Sequence, residues 1–438
     1  MPQICLYLHL HQPYRLRSYQ IDEIGTSDAY FSSAEEDANK QVFSKVAHKS
    51  YYPMLTLLKQ LLQKEKRFNF SLSITGVFLE QAQRFEPGVL QLLQDIIATG
   101  RCEILSETYH HTLASLYSET EFASQVEQHR EILQALFQYK PTVFRNTELV
   151  YSNDIARQVA KLGFSGMLTE GVDRILLGRP RTQLYYSVGT EQLPLLLKHA
   201  QLSDDIAFRF SDRNWKHFPL SADTYLDWVQ VYGEDEVINL FMDFETFGEH
   251  QWADTGIFPF FESFVQKFVQ ADWNSFVLPS EAIAEGKWQV AVKEKSVAQQ
   301  VQPKTTQTFP PESVRYDVPE PISWADVDRD LSAWLENAFQ QDCLSQLYAL
   351  ESAVLISSDS QILNDWRCLQ TSDHFYYMCT KWSADGDVHA YFSPYRDPFE
   401  AYRRYSVVLA DFKHRVRQAA LLQHHNVDQS ESPVQLDN

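Results

Sequence analysis

A chain of 438 residues with 44% hydrophobic and 22% charged residues has the make-up of a soluble globular protein. It is too long for one ordinary core, so a large first domain and a smaller second one are expected. The formal net charge of −20 disfavours nucleic acid and anionic membranes as partners, since both require a basic surface, and a neutral substrate fits better.

The five cysteines (Cys5, Cys102, Cys343, Cys368 and Cys379) form no C-x-x-C pair and imply no disulfide framework. The chain starts without a basic, apolar leader, and no apolar run approaches ~20 residues, so a cytoplasmic protein is expected.

In chain order, Ile4 to Leu10 reads as a strand that ends in His9-Leu-His11-Gln12-Pro13-Tyr14. A mixed polar stretch follows to about Tyr51, and Pro53 opens an amphipathic helix through Leu62. Phe68 to Ile74 alternates like a strand and runs into Thr75-Gly-Val-Phe-Leu-Glu80, read as one more carboxylate at a strand end. A helix at Gly88 to Thr99 precedes a short strand, Cys102 to Ser106, which leads to Glu107, His110 and His111. The helix Glu119 to Phe137, the strand from Thr142 that ends near Glu148, the helix Asn153 to Leu162 and the strand Gly166 to Glu170 continue the alternation.

Leu184 to Tyr186, Leu193 to Leu197 and Ile206 to Phe210 read as further, less regular strands. The apolar run Val237 to Met242 is then cut abruptly by Asp243, Glu245, Glu249 and His250, with Gly248 supplying a turn. A helix at Phe258 to Gln270 and the stretch Phe276 to Glu281 complete the alternating part. Short apolar strands between helices, each strand ending in polar residues, are the pattern of a parallel α/β barrel, which gathers its chemistry at the C-terminal strand ends.

This gives a barrel over 1–296, then a linker or surface loop rich in Gln, Thr, Pro and Lys over 297–322. A helical subdomain is expected over 323–423, with helices at about Leu331 to Gln341, Cys343 to Ser357 and Asp397 to Leu422. The polar tail 424–438 is expected to be disordered.

Carboxylates at the ends of buried strands are costly unless solvated, paired or used. Glu80, Glu148, Asp243 and Glu245 are therefore the candidates, with Asp243 and Glu245 two apart on one strand face. His9 and His11 form an H-x-H pair that also shares a face. With His110, His111, His250 and Asp243 it offers donors for a divalent metal, yet neither H-E-x-x-H nor C-x-x-C is present, and the alternative is that these histidines hydrogen-bond a polar ligand. No G-x-S-x-G and no glycine-rich phosphate loop occurs, which drops the serine-nucleophile and phosphate-cradling classes. Two carboxylates acting as nucleophile and acid/base on an acetal, among the many aromatic side chains (Trp 9, Tyr 22, Phe 28), match the residue types present.

Ordered motifs sharpen this. His11-Gln12-Pro13, Gly76-Val-Phe-Leu-Glu80, Asn146-Thr-Glu148 and Met242-Asp-Phe-Glu-Thr-Phe-Gly-Glu-His-Gln251 resemble the first four motifs of glycoside hydrolase family 57, and Tyr316 to Trp334 sits where the fifth belongs. The resemblance implies an incomplete (β/α)7 barrel followed by a C-terminal helical region, and a retaining mechanism with no metal and no cofactor. It implies Glu148 as nucleophile and Asp243 as general acid/base, with His11 and Glu80 against the sugar next to the scissile bond and Gln12, His110, Glu245 and Trp252 as further substrate-binding residues.

The fourth motif is similar to that of the family's α-amylase branch. Where several relatives carry an aromatic three residues before the nucleophile, this chain has Arg145. The expected activity is cleavage of α-1,4 links in maltodextrin or glycogen-like glucans, with glucanotransferase activity beside it. The alternatives are a non-catalytic carbohydrate-binding relative and a metal-dependent polysaccharide deacetylase. The mechanism requires a protonated Asp243, which repulsion from Glu148 and Glu245 would favour by raising its pKa. It also requires Glu148 and Asp243 to face each other across one cleft at roughly 5 to 7 Å.

Overall fold

The computed structural model describes residues 3–32, 37–189, 192–232, 237–286, 311–381, 393–395 and 397–430. Ten strands occur among them: β1 (Gln3–Leu10), β2 (Phe70–Ile74), β3 (Cys102–Leu105), β4 (Val143–Arg145), β5 (Gly166–Glu170), β6 (Tyr185–Ser187), β7 (Pro194–Lys198), β8 (Val237–Asp243), β9 (Ser275–Phe276) and β10 (Arg315–Tyr316).

Seven of these strands close a parallel ring. β8, β1, β2 and β3 pair in that order, β4 pairs with β5 and β5 with β7. Two narrow seams complete the ring, the parallel bridge Ser106↔Phe144 between β3 and β4 and the single register pair Lys198↔Asn239 between β7 and β8. Such thin seams are the structural meaning of an incomplete (β/α)7 barrel.

Strand periodicity decides what enters the ring. On β1 the even residues Ile4, Leu6, Leu8 and Leu10 join the large apolar layer between sheet and helices, and the odd residues Cys5 and Tyr7 join a small inner core with Leu105, Val143, Leu168, Leu196 and Phe241. Continuing each inner row by two residues toward the C-terminal strand end reaches His9, Glu107, Arg145, Glu170, Lys198 and Asp243. A polar layer therefore caps an apolar floor, as strand ends in closed barrels do.

Several expectations change. Gly76–Phe85 is a helix capped by Thr75, whose hydroxyl accepts from the Phe78 amide, so Glu80 stands on a helix and not at a strand end. Ile206 to Phe210 is no strand: the helix Ala200–Ala207 occupies its first residues. β8 ends at Asp243, which leaves Glu245 in the 3-10 turn Phe244–Thr246.

Two compact units are present. The first comprises Met1–Gln12, Val42–Tyr109 and Glu119–Asp330, and the second Pro13–Gln41, His110–Ser118 and Leu331–Asn438. Residues 297–310 of the expected linker lie outside the described residues. From 311 the chain packs within the first unit, β10 pairing with β6 and Ile322 bridging Tyr151.

The second unit holds the helices Ser332–Leu335, Ala338–Tyr348, Glu351–Ser357, Ser360–Leu369, Ser372–Tyr376 and Pro398–Ser430, the last running past Leu422 into the expected tail. Its N-terminal segment is stitched in by buried Asp411, which accepts from Tyr30 Oη at 2.5 Å and from the Gly25 amide at 2.6 Å. Among the described residues no helix is long and apolar enough to cross a membrane.

Candidate active site

The polar layer of the first unit is a connected charge network. Parallel pairing sets His9 beside Asp243, and His9 Nδ1 lies 3.5 Å from Asp243 Oδ1. The other ring nitrogen, Nε2, lies 3.2 Å from Arg145 Nη1 and 3.3 Å from Glu107 Oε2. Arg145 can only donate to this nitrogen and an ionised Glu107 can only accept from it, so the two contacts favour opposite protonation of Nε2. Glu107 also accepts from Ser73 Oγ at 2.6 Å, and Arg145, wholly buried, lies over the Phe241 ring at 5.2 Å.

This network overturns one expectation. Burial pushes the Asp243 carboxyl up, but the hydrogen bond from His9 and the electrostatic pull of His9, His250 and Arg145 outweigh it, leaving Asp243 below the usual carboxylate range. The raised group is Glu245, pushed up to about 8 by burial and by the Asp243 charge against the opposing hydrogen bonds of Tyr51 and Gln12. Two neighbouring carboxyls are thus driven apart, in the sense opposite to the one expected.

Glu148 follows β4 in a turn held against its own preference. Its φ of 55° and ψ of 24° are left-handed, and Leu149 follows at φ 51°. For residues other than glycine this costs on the order of 1–3 kcal/mol, and such strain persists only where the surroundings fix it. Here Asn146 Nδ2 donates to the Val150 carbonyl at 2.9 Å, Thr147 and Thr108 share a hydroxyl hydrogen bond of 2.8 Å, and Trp324 Nε1 donates to Glu148 Oε2 at 2.7 Å. Trp324 packs on Phe241 with ring centroids 5.1 Å apart, and Lys198 Nζ lies over the Trp324 ring, 5.0 Å from its centroid. Phe241, two residues before Asp243 on the inner row of β8, thereby carries both Arg145 and the indole that holds Glu148.

The remaining candidates sort by exposure. His11 is part-exposed, stacks on His9 with centroids 5.8 Å apart and pairs through Nδ1 with Thr75 Oγ1 at 3.0 Å. Glu80 accepts from Tyr109 Oη at 2.6 Å, and Tyr109 crosses Gly76 so closely that a Cβ there would meet the ring at 2.3 Å. Gln12 and Glu245 are buried and bonded to Tyr51. Trp252 is 57% exposed with Lys49 Nζ 5.2 Å from its ring centroid. His110 falls in the second unit, wholly buried, where burial and the Arg367 charge lower its pKa to about 3. Glu107 and Tyr51 were missed as site residues. For Glu107 the signal was its place at the end of a short strand, and for Tyr51 no local pattern exists.

Residues 5–298 match the family described as glycosyl hydrolase family 57. The chain belongs to that family. A Methanocaldococcus jannaschii protein named "Putative alpha-amylase" is 38% identical over 426 residues, covering 95% of this chain and 85% of the relative. Among solved structures, the Pyrococcus horikoshii branching enzyme of family 57 superposes with a TM-score of 0.66 at 12% identity, covering 98% of this chain and 92% of that one. Thermococcus litoralis 4-α-glucanotransferase gives 0.62 at 14% identity, covering 94% of this chain but only 59% of that longer one. At such identities these two likenesses show the fold alone.

Proposed function

We propose that this family 57 protein is a retaining α-glucan hydrolase that cleaves α-1,4 links in maltodextrin or glycogen-like chains in the cytoplasm, with transfer to a second sugar as a variant of its second step. Glu148 is the nucleophile and Asp243 the general acid/base. Asp243 gives a proton to the glycosidic oxygen while Glu148 attacks the anomeric carbon, and then takes a proton from the water, or sugar hydroxyl, that releases the glycosyl ester.

The observation that carries this reading is the Glu148 turn: a carboxylate in left-handed backbone, with one oxygen held by an indole N–H. Strain of that kind at a pocket carboxylate is characteristic of a group whose direction matters more than its comfort. His11, Glu80 and the open Trp252 face are the sugar contacts. Gln12 and Glu245 support from below, and His110, wholly buried, is left out of the contacting set.

The test is turnover of a maltooligosaccharide series by wild type, Glu148→Gln and Asp243→Asn, with the anomer of the new reducing end read by proton NMR. The α-anomer should appear first, and each variant should lose ~1,000-fold or more in kcat with its melting temperature nearly unchanged. A β-anomer product would remove Glu148 as nucleophile and the retaining mechanism with it, and variants that lose stability in step with activity would remove the two-carboxylate mechanism.

A further inference from the structure

The chain between Ala38 and Lys64 would be one helix but for a π-helical insertion at Ala47–Tyr51. One-turn π segments inside α-helices re-aim a side chain and frequently lie at functional sites. This one is pressed against the turn that follows Asp243. Gly248 adopts φ 106°, and a Cβ there would come 2.0 Å from the Lys49 carbonyl. Ser50 Oγ donates to the Phe244 carbonyl at 3.3 Å, and Lys45 and Lys49 each reach Glu249 at 3.0 Å.

What the insertion aims is Tyr51. Its hydroxyl, wholly buried, donates to Glu245 Oε1 at 2.5 Å and accepts from Gln12 Nε2 at 3.0 Å. Gln12 is held in turn, its carbonyl accepting from Gln81 Nε2 at 2.7 Å. Two separate stretches of sequence, at Gln12 and Tyr51, therefore converge on one carboxyl that lies two residues from Asp243, and a third, at Gln81, braces the first.

We propose that Tyr51 is a positioning residue for the reaction, its hydroxyl fixing Glu245 as the proton-carrying neighbour of Asp243. The inference rests on the functional reading above and deepens it. Burial and the Asp243 charge favour the protonated form of Glu245, and the groups around Asp243 favour its ionised form, so Glu245 is assigned the proton at rest. When a glucan displaces water, the proton passes from Glu245 to Asp243 and on to the leaving oxygen as the carbon–oxygen bond breaks and the Glu148–carbon bond forms. In the second half, water attacks the anomeric carbon, the Glu148–carbon bond breaks, and the water proton returns through Asp243 to Glu245. No group besides water is consumed.

The charged and titratable groups around Glu245 agree with this assignment. Asp243 raises its proton affinity, Tyr51 and Gln12 lower it, Lys45 and Lys49 are engaged by Glu249, and His9, His250 and Arg145 act on Asp243.

The test compares wild type, Tyr51→Phe and Glu245→Gln. Carboxyl NMR of isotope-labelled glutamate should show one group titrating near pH 8 in the wild type, absent in Glu245→Gln and moved upward in Tyr51→Phe, because the lost hydrogen bond had favoured the ionised form. On maltooligosaccharides, kcat of Tyr51→Phe should fall by ~10-fold or more, with the alkaline limb of its pH profile displaced upward and KM little changed. A packing role alone would lower the melting temperature and scale activity equally at every pH, and that result overturns the proposal. So does a Glu245 carboxyl that titrates in the ordinary range or does not respond to Tyr51→Phe. The NMR arm needs no turnover, so failure of the wild type to cleave glucans removes the functional reading while leaving this arm to decide the hydrogen-bonded assignment.

Discussion

Arg145 Nη1 lies 3.2 Å from His9 Nε2, a cation on β4 aimed at an imidazole on β1, both buried in the barrel. Glu107 Oε2, 3.5 Å from the same Nη1, closes the triangle. An arginine at this position puts a positive charge against His9, and that charge is one of those that hold Asp243 below the usual carboxylate range. The aromatic that several relatives carry there could stack on a sugar but could do neither of these things.

Arg145→Met should therefore destabilise the fold by ~3–5 kcal/mol, because Glu107 is left as a buried charge without its cation. Glu107→Gln in the same chain should recover part of that loss, so that the double variant is more stable than the sum of the single changes. Denaturant titration of the four proteins measures the coupling. Strict additivity would mean that the triangle is a geometric coincidence.

Exhaustive chelation should leave turnover intact. In the first unit both ring nitrogens of His9 face protein groups, Arg145 and Glu107 at one and Asp243 at the other, and His11 Nδ1 is turned to Thr75. A cation bound at His9 Nε2 would lie against the Arg145 guanidinium, whose positive charge opposes it. Activity that dies in EDTA and returns with Zn²⁺ would move the chain toward metal-assisted hydrolysis.

Stability should fall as pH rises from about 5 to about 9. Glu245 titrates at about 8 in the fold against ~4.3 in the unfolded chain, so between those values the native state binds a proton that the unfolded state has lost. Its stabilising contribution is complete below the unfolded value and disappears as pH passes the folded one, a total on the order of several kcal/mol. Asp243 acts in the opposite sense, contributing above its unfolded pKa and losing that contribution only in acid, below about pH 4. Glu245→Gln should flatten the alkaline slope of melting temperature against pH. An unchanged slope would place the proton elsewhere.

The ring was legible because its strands are short apolar runs of period two between helices, and the polar residues that cut those runs marked His9 and Asp243 as strand-end groups. Periodicity failed where an apolar run is ambiguous. Val77-Phe-Leu reads as strand or helix, and only the Thr75 cap, with Gly76 admitting the Tyr109 ring, decides for helix. Ile206-Ala-Phe-Arg-Phe alternates like a strand, yet the His199 side chain caps a helix through Ala207. The charge state of Asp243 was beyond reach for a different reason. It depends on His9, Arg145 and His250, which come together only when β8 pairs with β1 and the ring closes through β4. Local sequence supplied the repelling neighbour, Glu245, and one attracting group, His250, but not His9 or Arg145.

Gly248 is the position where fold and chemistry meet most tightly. Its φ of 106° lies outside what other residues adopt comfortably, and the space where a Cβ would stand is already taken by the Lys49 carbonyl at 2.0 Å, a backbone atom that cannot rotate away. Gly248→Ala must therefore separate the π-helical turn from the loop behind Asp243 or distort both. The cost should be ~2–4 kcal/mol of stability, more than left-handed strain alone. Because Tyr51 and Glu245 lie on the two parts being separated, kcat should fall further than KM rises, and the alkaline limb of the pH profile should shift with it. Gly256→Ala is the control. That glycine is also left-handed, at φ 85°, but nothing lies within 4 Å of its added Cβ, so it should lose stability through strain only and keep its pH profile. Equal pH profiles for the two variants would show that the contact between Gly248 and Lys49 closes the fold without aiming the carboxyls.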